Sequence, residues 1–269
     1  AKVYAEKEVQ DYDKVITYAD KVIKTTGVEL EDSYETLWGY DETTKDCLKR
    51  NTKEGILEVH WTTGGGNWET WMYGRQLDNW DYYFTWAKWI TPSRDIINDF
   101  EKEGDEIRKN QAIVYYACTW SNYYPASNYP FMYKLRSSYS NIYWIRLADI
   151  ILMKAEAEAY KGNLDESAKL VNQIRKRAKL KELTSDKTNS KEAMIEAVLH
   201  ERRLELAFEG ERWFDLCRNN KVEKYLNGID NRDKGRIKQV KLFDSNSYLL
   251  PIPQTALDQN TNLVQNPGY

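Results

Sequence analysis

The chain has 269 residues, with 39 Lys and Arg against 42 Asp and Glu and a formal charge of −3, a length that fits one large domain or two tightly packed halves. With 41% apolar and 30% charged residues it is not a disordered tail. Its near-neutral balance argues against nucleic acid, and no apolar run approaches the roughly 18 residues of a membrane span.

Between Glu6 and Thr26, the residues Val9, Tyr12, Ile16, Ala19 and Ile23 recur at spacings of three and four, which predicts an amphipathic helix closed by Gly27. No partner helix for that stripe follows at once. Residues 28–60 are mixed, with a β-like stretch at Ile56–His60, and from Trp61 to Trp89 helical periodicity is largely lost. Thr91 and Pro92 then predict a helix start, Thr91 as N-cap and Pro92 in the first turn, with Ile96, Ile97 and Phe100 as apolar face and Gly104 as stop. Residues 120–131, rich in Tyr, Pro, Ser and Asn, read as a loop.

The clearest structure follows. Ala148, Ile151, Leu152, Ala155 and Ala159 make one helical stripe, Lys161-Gly162-Asn163 a turn, and Leu164, Ala168, Val171, Ile174 and Ala178 a second stripe. Asn163 with Glu166 is close to a capping box. The pair has the size and the facing alanines of a tetratricopeptide unit, and it is one unit rather than an array. Beyond the polar stretch 184–190, Ile195, Val198, Leu199, Arg202 and Leu206 predict a long helix. After Leu216 the chain is irregular, with an extended apolar segment at Tyr248–Pro253 and an extended end. The fold class is mainly α, with long irregular loops and few short strands.

Several chemistries fail on inspection. His200-Glu201-Arg202-Arg203-Leu204 starts like a zinc-protease helix, but Leu204 stands where the second histidine must be for both to face the metal. No Gly is followed two places later by Ser, so there is no nucleophile elbow, and His60 and His200 are the only histidines. Gly64–Gly66 lacks the rest of a phosphate loop, and Asp230–Gly235 has Arg232 where a calcium loop needs oxygen. Cys47, Cys118 and Cys217 form no metal or disulfide spacing and are expected to be small buried residues. No metal, cofactor or catalytic residue is expected. Glu201, Arg202, Glu205, Glu209, Arg212, Asp215 and Arg218 recur at helical spacing; they read as an acid/base site or, better, as a salt-bridge ladder, because interleaved arginines depress carboxylate pKa values.

Most of the aromatic rings carry a polar handle: ten Trp and 20 Tyr against six Phe. Trp61, Trp68, Trp71, Trp80, Trp86 and Trp89 crowd into one stretch, with Tyr73, Tyr82, Tyr83 and Phe84 among them and Asn67, Arg75, Gln76, Asp78, Asn79 and Asp81 between. These rings could fill an irregular core. Sugar rings, with C–H-rich faces and hydroxyl rims, want the same mixture of flat platforms and planar polar groups, and each buried indole N–H needs a partner. The candidate ligand-binding residues are Trp68, Trp71, Tyr73, Arg75, Asn79, Trp80, Asp81, Tyr82 and Tyr83.

The C-terminal half resembles the RagB/SusD family in four segments. Ile145–Ala157 is similar to its Arg-x-Ala-Glu…Ala-Glu-Ala helix, with Asp149 where Glu is usual, and Glu201–Leu216 to its most specific signature, with Asn219-Asn220 where many members have Trp-Gly. Leu249–Gln254 and the ending Leu263–Tyr269 resemble its terminal motif, and Thr91–Phe100 gives weaker support. The resemblance implies a SusD-like domain over 1–269, the C-terminal part of a longer protein. Within it the N-terminal helix of 1–30 would pack on tetratricopeptide-like helices, 61–131 would be the variable glycan-binding region, 145–179 the helix pair, and 190–269 the signature helix and terminal segment. It also implies a non-catalytic protein that captures polysaccharide or oligosaccharide and hands it to a SusC-like TonB-dependent transporter. Such a protein is held at the outer-membrane surface by a lipid anchor on an N-terminal part that this sequence does not include. None of the matching segments is a ligand motif in that family, so no binding residue transfers. A helical-repeat protein scaffold and a glycoside hydrolase are the alternatives.

Overall fold

The computed structural model describes residues 1–41, 43–44, 46–61, 91–118, 121, 123–136, 140–235 and 238–269. The chain divides into two compact units, Ala1–Arg212 and Trp213–Tyr269; the expectation of a single domain over 1–269 drew no boundary there. Among the described residues helices dominate, and strands occur only as two-stranded antiparallel pairs.

In the first unit the helices that carry the frame are α1 (Tyr12–Ile23), α2 (Arg94–Glu103), α3 (Glu106–Ala112), α4 (Leu147–Lys161), α5 (Leu164–Arg177) and α6 (Lys191–Glu205). The alanine stripe of α4 meets Leu170, Val171 and Ile174 of α5 and Met194, Val198 and Leu199 of α6 in the main core. Small residues let the helices approach closely enough for Ser167 Oγ to donate to the Ala155 carbonyl at 2.7 Å. Gly162 ends α4 at φ +85°, in the left-handed region where a side chain would be strained. The predicted capping box at Asn163 is absent: its amide donates instead to Glu158 at 2.7 Å.

The partner that the first stripe lacked is α4, which is buried on more than the face its alanines mark. Met153 and Ala157 pack with Val15, Tyr12 and Ile16 of α1, and Tyr12 stacks on Tyr160 with ring centroids 4.7 Å apart. The predicted helix from Glu6 is shorter than its pattern. Asp11 accepts from the Lys14 amide and caps the start, which leaves Val9 outside the helix and exposed.

Two further starts differ from the sequence reading. Ser93, not Thr91, caps α2, accepting from the Ile96 amide at 3.2 Å, while the Thr91 hydroxyl lies 2.6 Å from Tyr129 Oη. Ser93→Ala is therefore expected to cost about 1 kcal/mol and to speed amide exchange in the first turn of α2. Thr91→Ala should leave that turn's exchange unchanged, and equal acceleration in both variants would contradict the cap. Part of the predicted loop 120–131 is strand: Tyr129–Met132 (β5) pairs with Ile113–Tyr116 (β4), Tyr115 opposite Pro130. A two-stranded sheet tolerates Pro130 because its outer edge needs no N–H.

The other pairs are β1 (Tyr40–Asp41) with β2 (Asp46–Cys47), and β3 (Gly55–Val59) with β6 (Ile142–Arg146), the latter irregular between Gly55 and Glu58. Of the three free cysteines only Cys118 is buried; Cys47 and Cys217 are half-buried.

The second unit is built from short turns tied by side chains. Trp213 packs on Phe243, and the Tyr248 hydroxyl donates to Glu223 at 2.5 Å. Pro251 and Pro253 leave Ile252 with the only N–H between them, and the Gln265 side chain takes it at 2.8 Å and returns a bond to the Ile252 carbonyl at 2.9 Å. Asn266 and Tyr269 donate to the Leu250 and Leu249 carbonyls. The two terminal motifs thus clasp each other.

Candidate functional site

All nine candidate residues, Trp68, Trp71, Tyr73, Arg75, Asn79, Trp80, Asp81, Tyr82 and Tyr83, lie in residues 62–90, outside the described residues. What the structure places are the two ends of that stretch.

At its C-terminal end the chain is held among tyrosines. The Pro92 carbonyl accepts from Tyr124 Oη at 2.7 Å, and Tyr124 sits edge-on to both Tyr123 and Tyr129. The Arg94 guanidinium lies 4.6 Å from the Tyr123 ring centroid and 4.1 Å from that of Tyr124, cation–π contacts to both of these mutually perpendicular rings. Tyr115 and Tyr116, on β4, are 37% and 38% exposed. Sequence reasoning singled out none of these. The signal was present as two tandem Tyr-Tyr pairs, at 115–116 and 123–124, but the first lies in a strand and the second in what read as mere loop.

At the N-terminal end, just before residue 62, a polar network gathers at one end of the β3–β6 sheet. Arg50 Nη2 donates to both carboxylate oxygens of Asp46, at 2.8 and 3.0 Å, and to the Trp61 carbonyl at 3.2 Å, while Nη1 donates to Asn141 at 3.0 Å. Asn141 Nδ2 donates to Glu58 at 3.3 Å, and His60 Nε2 lies 2.9 Å from the same carboxylate.

The charged residues of the signature segment form a buried cluster. Apart from Asp215 and Arg218, their ion-pair partners sit on other elements rather than one turn along the helix. Glu205 takes Arg108 of α3 at 3.1 Å, Arg146 of β6 at 2.7 Å and Arg177 of α5. Glu201 takes Arg108 at 2.6 Å and Arg175 at 3.0 Å; Glu209 takes Lys134 and Arg146. Glu54, beside β3, closes the cluster onto Arg146 and Arg177. Arg202 pairs with Asp149 at 2.8 Å, joining two of the motif segments. Asp215 and Arg218, one turn apart, pair at 2.7 Å within the second unit.

Burial alone would raise the Glu205 carboxyl, but the guanidiniums of Arg177, Arg146 and Arg108 outweigh it and hold the group well below its usual range. At the rim, the His200 and Arg175 hydrogen bonds bring Glu103 down to about 2 against its partial burial. Burial lowers Lys134 to about 8. Glu205 is thus locked as a carboxylate and is the opposite of a general acid; its cluster is framework. Among the described residues no group of His, Cys, Asp and Glu is arranged to hold a metal ion, and no helix is long and apolar enough to cross a membrane.

Comparison with known proteins agrees with that frame. Residues 53–269 match the SusD family profile. SusD-like protein P38 of Formosa agariphila is 39% identical over 136 residues, 48% of this chain and 25% of the relative, so the match spans about a quarter of that relative's length. A SusD superfamily protein of Bacteroides vulgatus superposes with a TM-score of 0.73 at 24% identity, covering 100% of this chain and 60% of the other. Surface glycan-binding protein A of Bacteroides thetaiotaomicron, in complex with laminarihexaose, superposes with a TM-score of 0.68 at 18% identity, covering 95% and 59%. With the profile matched over most of its length and the fold shared, the chain belongs to the SusD (RagB) family.

Proposed function

We propose that the chain is part of a non-catalytic, surface-exposed lipoprotein of the outer membrane that captures nutrient polysaccharide or oligosaccharide and passes it to a SusC-like TonB-dependent transporter. The family match over residues 53–269 carries this reading, and the aromatic–polar stretch between Trp61 and Trp89 is its ligand-facing part. By analogy with base stacking, each indole platform contributes roughly 1–3 kcal/mol, and a few hydrogen bonds about 0.5–1.5 kcal/mol each. After association costs the affinity falls on the order of millimolar to micromolar, which suits capture followed by release.

The test is affinity electrophoresis of the chain in gels containing laminarin, beside Trp68→Ala and Trp80→Ala. The parent is expected to be retarded, with at least one variant about 5- to 100-fold weaker. Unchanged retardation in both variants would remove the stretch as the site. Release of reducing ends from the retained glycan would favour a hydrolase instead, and a stable protein partner without glycan retention would favour a helical scaffold.

A further inference from the structure

We propose that Asp46, Arg50, His60 and Trp61 form a hydroxyl-reading subsite for a neutral hexose at the N-terminal end of the aromatic stretch, an assignment that rests on the glycan-capture reading above.

The chemistry follows from what each group has already spent. Glu58 is saturated: it accepts from the Thr52 amide and hydroxyl, the Asn51 amide and Asn141, and holds His60. It is a positioning residue. Asp46 is not saturated. Among the described residues its Oδ1 accepts from Arg50 and the Cys47 amide and its Oδ2 from Arg50 alone, and the side chain is 32% accessible. A carboxylate accepts about four hydrogen bonds, so room remains for a hydroxyl donor. The His60 side chain is 28% accessible and uses Nε2 on Glu58, leaving Nδ1 without a partner among the described residues. The buried Trp61 indole N–H has no partner either, and a buried donor of that kind calls for an acceptor.

Asp46 and the His60 ring are thus linked through Arg50, Asn141 and Glu58, and Arg50 also holds the Trp61 carbonyl, so an acceptor, a ring nitrogen and an N–H donor belong to residues of one network. A sugar hydroxyl donates and accepts at once, so a vicinal diol satisfies such a set, while a purely apolar ligand satisfies none of it.

Charge narrows the ligand further. Among the described residues, Asp46 and Glu58 pair with one guanidinium and one imidazole, and the Lys49 ammonium is paired with Glu31 at 2.8 Å. These pairings leave no surplus positive charge among the described residues for a sulfate or uronate, which would meet the Asp46 carboxylate. The subsite therefore selects uncharged sugars.

The experiment titrates laminarihexaose, maltohexaose and a hexameric oligogalacturonate into the chain and into Asp46→Asn, Arg50→Gln and Arg50→Lys by calorimetry. The expected result is binding of a neutral hexaose in preference to the uronate. Affinity should fall about 10-fold or more in Asp46→Asn and Arg50→Gln and recover only in part in Arg50→Lys, which keeps the charge but loses the fork. In the unmodified chain, the indole N–H resonance of Trp61, identified with Trp61→Phe, should move as the neutral hexaose is added, a readout that does not depend on any variant folding. Preference for the uronate, unchanged affinity in both pair variants, or a stationary Trp61 resonance at saturation overturns the subsite. If the pair variants bind like the parent while Trp80→Ala does not bind, the subsite fails and glycan capture stands. If the parent binds no glycan, both fail together.

Discussion

Replacing Glu205 by Gln is expected to destabilise the first unit by about 3–5 kcal/mol, the usual cost of removing one partner from a buried ionic set. Its side chain is fully buried and faces Arg108, Arg146 and Arg177, so the substitution leaves three guanidiniums short of a shared counter-charge in a site that water does not reach. Arg146→Met should be as costly for the opposite reason, since it takes one counter-charge from each of Glu54, Glu205 and Glu209. Because the two residues share one network, the double variant should lose less than the sum, by about 1–3 kcal/mol. Urea unfolding followed by circular dichroism measures all three. A loss below about 1 kcal/mol in either single variant would mean that the cluster is hydrated. The pH dependence has a definite sign. Glu205 and Glu103 have folded pKa values below the unfolded ones, so the stability they contribute is complete above about pH 4.3 and is lost as pH falls toward the folded values, about 2 for Glu103. Glu205→Gln should therefore flatten the acid limb of the stability profile.

Leu152→Ala is expected to cost about 2–5 kcal/mol. Leu152 is fully buried at the middle of α4, in the cluster that α5 and α6 complete. Part of the cost is the transfer energy of the lost carbons, and the rest is a cavity that three packed helices cannot collapse to fill. The urea midpoint should fall with the slope unchanged. A loss under 1 kcal/mol would show that the helices close over the gap.

The helix pair was legible because its information is local: apolar spacings of three and four, then Gly162 at a left-handed turn. What failed depended on distant partners. Thr91 and Ser93 are both capping residues, and only Tyr129, 38 residues on, decides that the Thr91 hydroxyl is already engaged. Tyr129–Met132 looks like loop because of Pro130 and becomes strand only through β4. The signature charges were visible at helical spacing, but their partners Arg108, Arg146 and Arg177 lie in other parts of the sequence. The aromatic stretch could be read from local density alone. The polar set at its edge could not, because Arg50 meets Asn141 across 91 positions.

The ionic cluster also bears on how the first unit comes together and whether it can be cut down. Its members enter from Glu54, α3, β6, α5 and α6, so a partly assembled chain that has sequestered any of them holds charge without compensation. Intermediates of that kind are penalised, which makes assembly all-or-none. An excised helix pair, α4 with α5, would keep its alanine seam but strand Arg177, and so the repeat-like element is not an autonomous module.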